Sequence, residues 1–259
     1  AATKRIERAI NETAGVDISP EAELVLKVRI FDDFCTFSID TSGPALHIRG
    51  HKEALNKAPM RETLASLFLR QMGYDGSQTV VDPMCGSGTF PIEAAEQAAG
   101  LFPGRSRSFA FEKLASFDQG KWDQLKQSAQ PKQVLGQFFG FDRDMGAIRL
   151  SQHNANRAAV GDMIQFQHAA ISDLEPPDAP AGIVIINPPY GGRIGERKML
   201  FSLYGAMGQT LKTRFKSWKV GILTTDGGLA KATGLPFLPS LPPVPHGGKR
   251  VTLHRTDPL

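Results

Sequence analysis

The segment Asn187-Pro188-Pro189-Tyr190 has the residue types that most directly suggest chemistry. The side-chain oxygen of Asn187 and the carbonyl of Pro188 are two acceptors, and the prolines hold them in place because each ring fixes φ at about −65°. Two fixed acceptors suit the two hydrogens of a planar NH2 group, and Tyr190 adds a flat surface for stacking. The segment predicts a site for the exocyclic amine of an aromatic base. A turn that simply ends a strand is the alternative.

A glycine-containing segment upstream has the features of a second ligand site. It reads Asp82-Pro-Met-Cys-Gly-Ser-Gly-Thr-Phe90 and lies between a predicted strand and a predicted helix. This arrangement brings a ligand against bare backbone at a helix N-terminus. A dinucleotide site with the pattern Gly-x-Gly-x-x-Gly would need a third glycine where Pro91 stands, which argues against a nicotinamide oxidoreductase. A tight turn that needs glycine only for its geometry is the alternative.

An acidic residue ends the predicted strand that follows. Phe138 to Asp144 contains Asp142, and a carboxylate at this position suits the two hydroxyls of a ribose as a bidentate acceptor. Asp142 or Asp144 is equally suited to cap the next helix.

Strands and helices alternate from residue 58 onward, which indicates an open, mostly parallel sheet. Ile183 to Ile186 reads as a strand buried on both faces. Pro236 to Pro245 is predicted to be loop, and Gly100 to Gln133 a polar insertion. We predict strands at residues 24–30, 34–40, 79–82, 138–144, 164–167, 183–186, 219–225 and 249–256, and helices at 4–14, 58–72, 91–99, 145–158 and 198–215.

The composition is that of an ordinary globular protein. Of 259 residues 41% are hydrophobic and 22% charged, and the net charge of +4 permits a nucleic-acid partner. Apolar runs are far shorter than the ~18 residues of a membrane span, and no secretory pattern opens the chain, so we expect no membrane association and a cytoplasmic location. Cys35 and Cys85 stand in unrelated contexts, and His47 and His51 lack further ligands, so we expect no metal and interpret the histidines as solvated.

A basic stretch follows the Asn-Pro-Pro-Tyr segment. Seven basic residues and one acid, Glu196, lie between Arg193 and Lys219. Such a stretch is usually a solvated helix face, and beside a base pocket it could instead contact phosphates.

These motifs resemble a known family. Asp82 to Phe90 together with Asn187 to Tyr190 is similar to the class I, S-adenosylmethionine-dependent amino-methyltransferases. Leu-His-Ile-Arg-Gly-His-Lys-Glu-Ala from Leu46, Asn-Lys-Ala-Pro-Met-Arg-Glu-Thr from Asn56 and Gly-Leu-Phe-Pro-Gly-Arg-Ser-Arg from Gly100 resemble the THUMP-associated RNA methylases of the UPF0020 type. The chain is most similar to the branch that methylates the guanine exocyclic amine (N2) in 23S ribosomal RNA.

The resemblance implies a fold and a domain organisation. The fold would be Rossmann-like, an α/β class I methyltransferase with an open, mostly parallel seven-stranded sheet and an antiparallel edge strand. Residues 1–45 would be a small α+β piece resembling part of a THUMP domain, and 46–259 the catalytic domain.

The resemblance also implies roles for individual residues. Asn187, Pro188 and Tyr190 would bind the flipped guanine, Asp142 the ribose of the cofactor, and Met145 its adenine. The family often has an acid where Ala170 stands here, with Asp173 three residues further on. The implied S-adenosylmethionine-binding residues are Asn56, Lys57, Ala58, Pro59, Asp82, Pro83, Cys85, Gly86, Gly88, Thr89, Asp142, Met145, Asp173 and Asn187.

The expected function is therefore methyl transfer from S-adenosylmethionine to a guanine amine of large-subunit ribosomal RNA. The same chemistry on tRNA guanine, DNA adenine or a protein amide is an alternative, as is an RNA-binding assembly factor without turnover. The intact glycines and Asp142 argue against the last, since a binding module does not need cofactor groups.

Overall fold

The structure is a computed structural model that describes residues 2–52, 60–130, 132–190 and 197–259. It has two compact units, Ala1–Ala45 with Ser108–Gln124, and Leu46–Arg107 with Leu125–Leu259. Residues 108–124, within the range assigned to the catalytic domain, thus group with the N-terminal residues. The assignment of 1–45 as THUMP-like and 46–259 as catalytic stays a prediction.

The first unit contains a helix and a two-stranded hairpin. Helix α1 is Ala2–Ala14, and strands β1 (Val25–Phe31) and β2 (Phe34–Asp40) pair antiparallel. Asp32 and Asp33 have φ of 48° and 59°, so both lie in the left-handed region that a tight two-residue hairpin turn requires. Because side chains alternate across a strand, Leu26, Val28 and Ile30 share one face, and all three are exposed.

The second unit is built on a seven-stranded sheet of order β5-β4-β3-β6-β7-β9-β8. The strands are β3 (Val80–Asp82), β4 (Phe138–Asp142), β5 (Ile164–His168), β6 (Ile183–Ile186), β7 (Lys219–Thr224), β8 (Val244–His246) and β9 (Lys249–Arg255). The helices that follow α1 along the chain are α2 (Glu62–Gln71), α3 (Thr89–Ala98), α4 (Gln119–Gln127), α5 (Met145–Arg157), α6 (Arg197–Arg214) and α7 (Gly227–Ala232). In the described part of the chain, no helix is both long and apolar enough to cross a bilayer.

The sheet confirms the predicted fold class. Strands β5, β4, β3, β6 and β7 are mutually parallel, and β9 runs antiparallel to β7. Two details differ from the sequence prediction. Strand β8 begins in the proline-rich segment predicted to be loop, because β9 supplies its hydrogen-bonding partner and an edge strand tolerates Pro245. Helix α7 was not predicted; Asp226 caps it by accepting a hydrogen bond from the backbone N–H of Gly228 at 2.8 Å.

Strand β6 is buried on both faces, as its four β-branched residues predicted. Ile183 and Ile185 pack in the cluster formed with α2 and α3, whereas Val184 and Ile186 pack with α6 on the opposite face. Each buried side chain of this size contributes roughly 1.5–3 kcal/mol. The strand is therefore a rigid base for the residues that follow it.

Three of these parallel strands end at one edge of the sheet. Asp82 ends β3, Asp142 ends β4, and Asn187 directly follows β6. Because β3 pairs with both β4 and β6, the loops after all three are neighbours. Ligands of open α/β folds bind at this carboxyl edge.

Candidate active site

A cavity of about 960 Å³ lies at the carboxyl edge of the sheet. Its volume is within the roughly 300–1,000 Å³ that is typical of ligand pockets. The loops after β3, β4, β5 and β6 line it, together with residues 47–49, Lys52, residues 60–62, α6 and the turn between β8 and β9. The predicted base-binding and ribose-binding residues thus meet in one cavity.

Two glycines shape the loop between β3 and α3. Gly86 has φ +56° and Gly88 φ +79°, a region that other residues rarely adopt. A Cβ on Gly88 would lie 3.1 Å from the Ser151 side chain and 3.2 Å from Ile92 and Phe166, so this position is tightly packed. A Cβ on Gly86 would meet open space. The loop is therefore tightly packed at Gly88 and has open space beside Gly86.

Two side chains of α5 hold the same loop in place. Ser151 Oγ donates to the Gly86 carbonyl at 3.0 Å, and Asn154 Nδ2 donates to the Ser87 carbonyl at 3.0 Å. Both side chains are fully buried. Sequence reasoning missed them, although polar residues three apart on the inward face of a predicted helix were an available signal.

Asp142 connects the loops after β3 and β4. Its Oδ2 accepts from the Gly86 N–H at 3.0 Å and its Oδ1 from the Asp144 N–H at 2.9 Å. Asp144, in contrast, caps α5 by accepting from Gly146 N–H at 2.7 Å. The helix cap is therefore Asp144, and Asp142 lines the cavity. A carboxylate has about four lone-pair sites, so Asp142 retains acceptor capacity for ribose hydroxyls.

Several predicted cofactor residues lie buried behind the cavity wall. Asp82 is 2% exposed, its Oδ1 accepts from the Met84 N–H at 3.1 Å, and burial raises its pKa to about 8. Cys85 is also buried; burial raises the pKa of its thiol, and its Sγ lies 3.6 Å from Ser151 Oγ. Gly88 and Thr89 are buried as well.

The remaining predicted cofactor residues have different positions. Pro83 and Asn187 line the cavity, as does Ala170. Met145 is 45% exposed, and Asp173 is exposed; neither belongs to the residues that line the cavity. Asn56, Lys57, Ala58 and Pro59 lie outside the described residues. The cofactor roles of all these residues stay predictions.

The Asn-Pro-Pro-Tyr segment forms another part of the cavity wall. Asn187 Oδ1 is buried and has no hydrogen-bond partner within the described ranges. Pro188 is buried, and Tyr204 Oη donates to the Pro189 carbonyl at 3.4 Å. Tyr190 packs against both core clusters, and burial raises its pKa. The segment thus holds an unpaired amide oxygen beside a fixed aromatic ring.

The segment that precedes α2 takes part in a cluster of buried ion pairs. Arg49 donates to Glu93 from Nε at 3.1 Å and from Nη2 at 3.3 Å. Lys52 Nζ lies 3.2 Å from Glu62 Oε1 and donates to Thr89 Oγ1 at 2.7 Å. We call Arg49, Lys52, Glu62 and Glu93 the charged cluster. It links the segment before α2 to α2 and to the first turn of α3.

His51 lies next to the charged cluster, and its interpretation as a solvated residue was wrong. The residue is 3% exposed. Burial, followed by the nearby charges of Arg105, Arg49, Lys52 and Arg157, lowers its pKa to about 4. The sequence motif reads as a basic connector because the acids that balance it, on α2 and α3, are distant along the chain.

Strand β8 brings a further histidine to the cavity. His246 lines it, and its Nδ1 is buried without a hydrogen-bond partner among the residues that the structure describes. Burial, followed by the charges of Arg61 and His47, lowers its pKa. Asn187 and His246 are the two cavity-lining residues with such an atom, and we call them the open pair.

In the described parts of the chain, no group of three or more His, Cys, Asp or Glu residues could hold a metal ion. The expectation that the protein uses no metal stays a prediction.

Comparison with known proteins identifies a family and several relatives. The family described as UPF0020, RMKL-like, methyltransferase domain matches residues 49–236. The Synechocystis sp. protein slr0064 is 36% identical over 93% of this chain and 63% of its own length. Ribosomal RNA large subunit methyltransferase K/L of Vibrio campbellii is 39% identical over 79% of this chain and 30% of its own length. The chain therefore spans less than two thirds of each of these relatives.

Solved structures share the fold. SMU.472, solved in complex with SAH, has a TM-score of 0.81 and 26% identity, covering 100% of this chain and 68% of that one. A protein of Clostridium difficile 630 has a TM-score of 0.85 and 29% identity, covering 99% of this chain and 68% of that one.

Proposed function

The chain belongs to the UPF0020 family of RMKL-like methyltransferase domains, whose cofactor is S-adenosylmethionine, and we propose that it methylates the exocyclic amine of a guanine in 23S ribosomal RNA. When bound, S-adenosylmethionine supplies a methyl group activated by its sulfonium charge. The cofactor-facing residues would be the bare backbone at Gly86 and the Asp142 carboxylate, which fit it because one is open and the other keeps free acceptor capacity.

One observation carries the proposal. Asn187 lines the cavity, and its buried Oδ1 has no partner within the described residues. An unpaired buried acceptor costs roughly 1–3 kcal/mol, and in a residue that lines a cavity a bound ligand can recover this cost. An amine hydrogen of the substrate would satisfy this oxygen, and the Pro188 carbonyl would accept the second.

These acceptors would also raise the reactivity of the amine. The nitrogen lone pair of an aromatic amine is delocalised into the ring, which makes it a poor nucleophile. Two acceptors that hold its hydrogens favour a more pyramidal nitrogen with a more available lone pair. The rate would come from positioning and from charge placement and not from a strong base.

The substrate base must leave its stack to reach a cavity at the sheet edge. Tyr190 would replace the lost stacking, because its ring is held by both core clusters and borders the same cavity. Ribosomal RNA as the substrate is supported by the large-subunit methyltransferases among the relatives.

The test is methyl transfer from labelled S-adenosylmethionine. Unmodified large-subunit ribosomal RNA, tRNA and DNA are offered separately, and the labelled nucleoside is identified after digestion. We expect label on a ribosomal guanine, and Asn187→Ala should reduce turnover by about 100-fold or more, as loss of one preorganised group typically does. S-adenosylmethionine affinity should stay near the wild-type value.

Asn156→Ala, an exposed substitution on α5, is the matched control and should leave turnover unchanged. Label on tRNA or DNA alone would contradict the proposed substrate. Cofactor binding without label on any acceptor would favour an assembly factor. Equal loss of turnover and cofactor binding in Asn187→Ala would contradict the role of Asn187.

A further inference from the structure

The turn that follows β8 completes the cavity on the side away from the glycine loop. His246 is the last residue of β8, pairs with Lys249 of β9, and lines the cavity together with Gly247 and Lys249. The family match ends at residue 236, so the match does not extend to this wall.

His246 shares one property with Asn187. Among the described residues, the cavity-lining side chains with a buried polar atom and no hydrogen-bond partner are these two, Asn187 through Oδ1 and His246 through Nδ1. They come from distant parts of the chain, so their convergence on one cavity is a product of the fold. A site with two unpaired buried atoms can read two positions of one ligand.

The charge state of the ring decides what His246 can recognise. Burial, followed by electrostatic interactions with Arg61 and His47, lowers its pKa, so the ring is neutral near pH 7. A neutral imidazole has one nitrogen that accepts and one that donates. In the tautomer with its proton on Nε2, the unpaired Nδ1 of this cavity-lining residue is an acceptor.

An acceptor at this position can distinguish bases by whether the ring nitrogen beside the amine carries a hydrogen. In guanine the exocyclic amine lies next to the ring N1, which carries a hydrogen. In adenine and in 2-aminopurine the ring N1 carries none and is itself an acceptor. A second acceptor beside the amine site therefore favours guanine and repels bases whose N1 has a lone pair.

We propose that His246 is a specificity-determining residue, which accepts the N1–H of the guanine whose amine Asn187 binds. This inference rests on the proposed function for the identity of the base. Asn187 can bind the exocyclic amine of several bases and does not distinguish them. His246 would supply the group that distinguishes guanine from other aromatic amines.

The test is a binding measurement that needs no turnover. With S-adenosylhomocysteine present, the affinities of guanosine 5′-monophosphate and of 2-aminopurine riboside 5′-monophosphate are compared at pH 7.5. We expect the wild-type protein to prefer the guanine nucleotide by about tenfold, the effect of one hydrogen bond. The guanine nucleotide alone should shift the ¹⁵N resonance of His246 Nδ1.

Three variants separate recognition from folding. His246→Phe keeps a ring without an acceptor and should lose the preference. His246→Asn places an amide oxygen near the position of Nδ1 and should retain it. His254→Phe is the matched control, because His254 lies on β9 of the same hairpin and does not border the cavity; it should retain the preference too.

Equal affinity of the wild-type protein for the two nucleotides, binding of neither, or a preference that persists in His246→Phe would overturn the proposal. The protein could also show a guanine preference that depends on His246 and yet place no label on ribosomal RNA. This result would reject the proposed reaction and support the recognition of guanine by His246. Label on ribosomal guanine without this guanine preference would support the proposed reaction and reject the role of His246 in recognition.

Discussion

Three members of the charged cluster, Arg49, Lys52 and Glu62, line the same cavity as the open pair, and the two groups differ in how their polar atoms are satisfied. In the charged cluster, Arg49 makes two contacts with Glu93, and Lys52 contacts Glu62 and Thr89. In the open pair, Asn187 Oδ1 and His246 Nδ1 have no partner among the residues described. Buried polar groups that are paired belong to the framework of the fold, whereas unpaired ones that line a cavity are candidates for binding a ligand.

The difference separates residues that build the cavity from residues that use it. Substitutions in the charged cluster should mainly change stability, because they leave a buried charge without its counter-charge. Substitutions in the open pair should mainly change binding and turnover.

The largest effect is expected from breaking the ion pair of Arg49. Glu93→Gln removes the carboxylate charge and leaves the buried guanidinium unbalanced, which should lower the free energy of unfolding by about 3–5 kcal/mol. The measurement is urea denaturation at pH 8.5, because burial raises the pKa of Glu93 to about 7 in spite of Arg49 and the group must be ionised.

Glu175→Gln is the control for this prediction. Glu175 contacts Arg214 at 3.3 Å in an exposed pair, so its loss should cost no more than about 1 kcal/mol. If the two substitutions destabilise the protein equally, the charged cluster does not have the structural role described here.

A smaller effect on the free energy of unfolding is expected from protonation of His51, which lies next to the charged cluster. His51 has a pKa of about 4 in the folded protein and about 6.5 in the unfolded chain. Between these values the unfolded chain binds more protons, so the stability contribution is complete above pH 6.5 and is lost as the pH falls toward 4. The loss should reach about 3 kcal/mol.

The measurement compares unfolding free energies of the wild-type protein and His51→Gln from pH 7.5 to pH 4. The unfolding free energy of His51→Gln should fall less between pH 7.5 and pH 4 than that of the wild-type protein. His153→Gln, an exposed substitution on α5, should follow the wild-type profile. Parallel curves for the wild-type protein and His51→Gln would show that His51 does not titrate in this range.

The smallest effect on stability is expected from the open pair. Asn187→Ala removes an unpaired buried oxygen, so without ligand its free energy of unfolding should stay within about 1 kcal/mol of the wild-type value, or rise. Thermal and urea unfolding would measure it. Destabilisation approaching that of Glu93→Gln would show that Asn187 is part of the framework and would remove the contrast between the two regions.

Much of the fold could be predicted from the sequence because the signals are local. Ile183 to Ile186 is an uninterrupted β-branched run, and the two prolines after it mark the end of the strand. Asn187 and Asp142 were singled out for the same reason, since each directly ends a recognisable strand. Their positions follow from strand direction alone.

The charged cluster could not be predicted because its contacts are distant in sequence. Arg49 and Glu93 are 44 residues apart, and Lys52 and Thr89 are 37 apart. A local pattern shows only a basic segment and a helix with acids. Strand β8 was missed for a related reason, since a proline-rich segment becomes a strand only where β9 offers a partner. His246 was therefore not recognised as a cavity residue.

The place of the β8–β9 hairpin at the end of the sheet bears on how the protein can evolve. The hairpin is joined to the sheet through one antiparallel pairing, β9 with β7, and β8 pairs with β9 alone in the described strands. Replacing its turn residues alters one side of the cavity without shifting the register of the parallel strands that carry Asp142 and Asn187. Target preference could thus diverge between related proteins by changes within a few adjacent codons, while the cofactor half of the site stays constant.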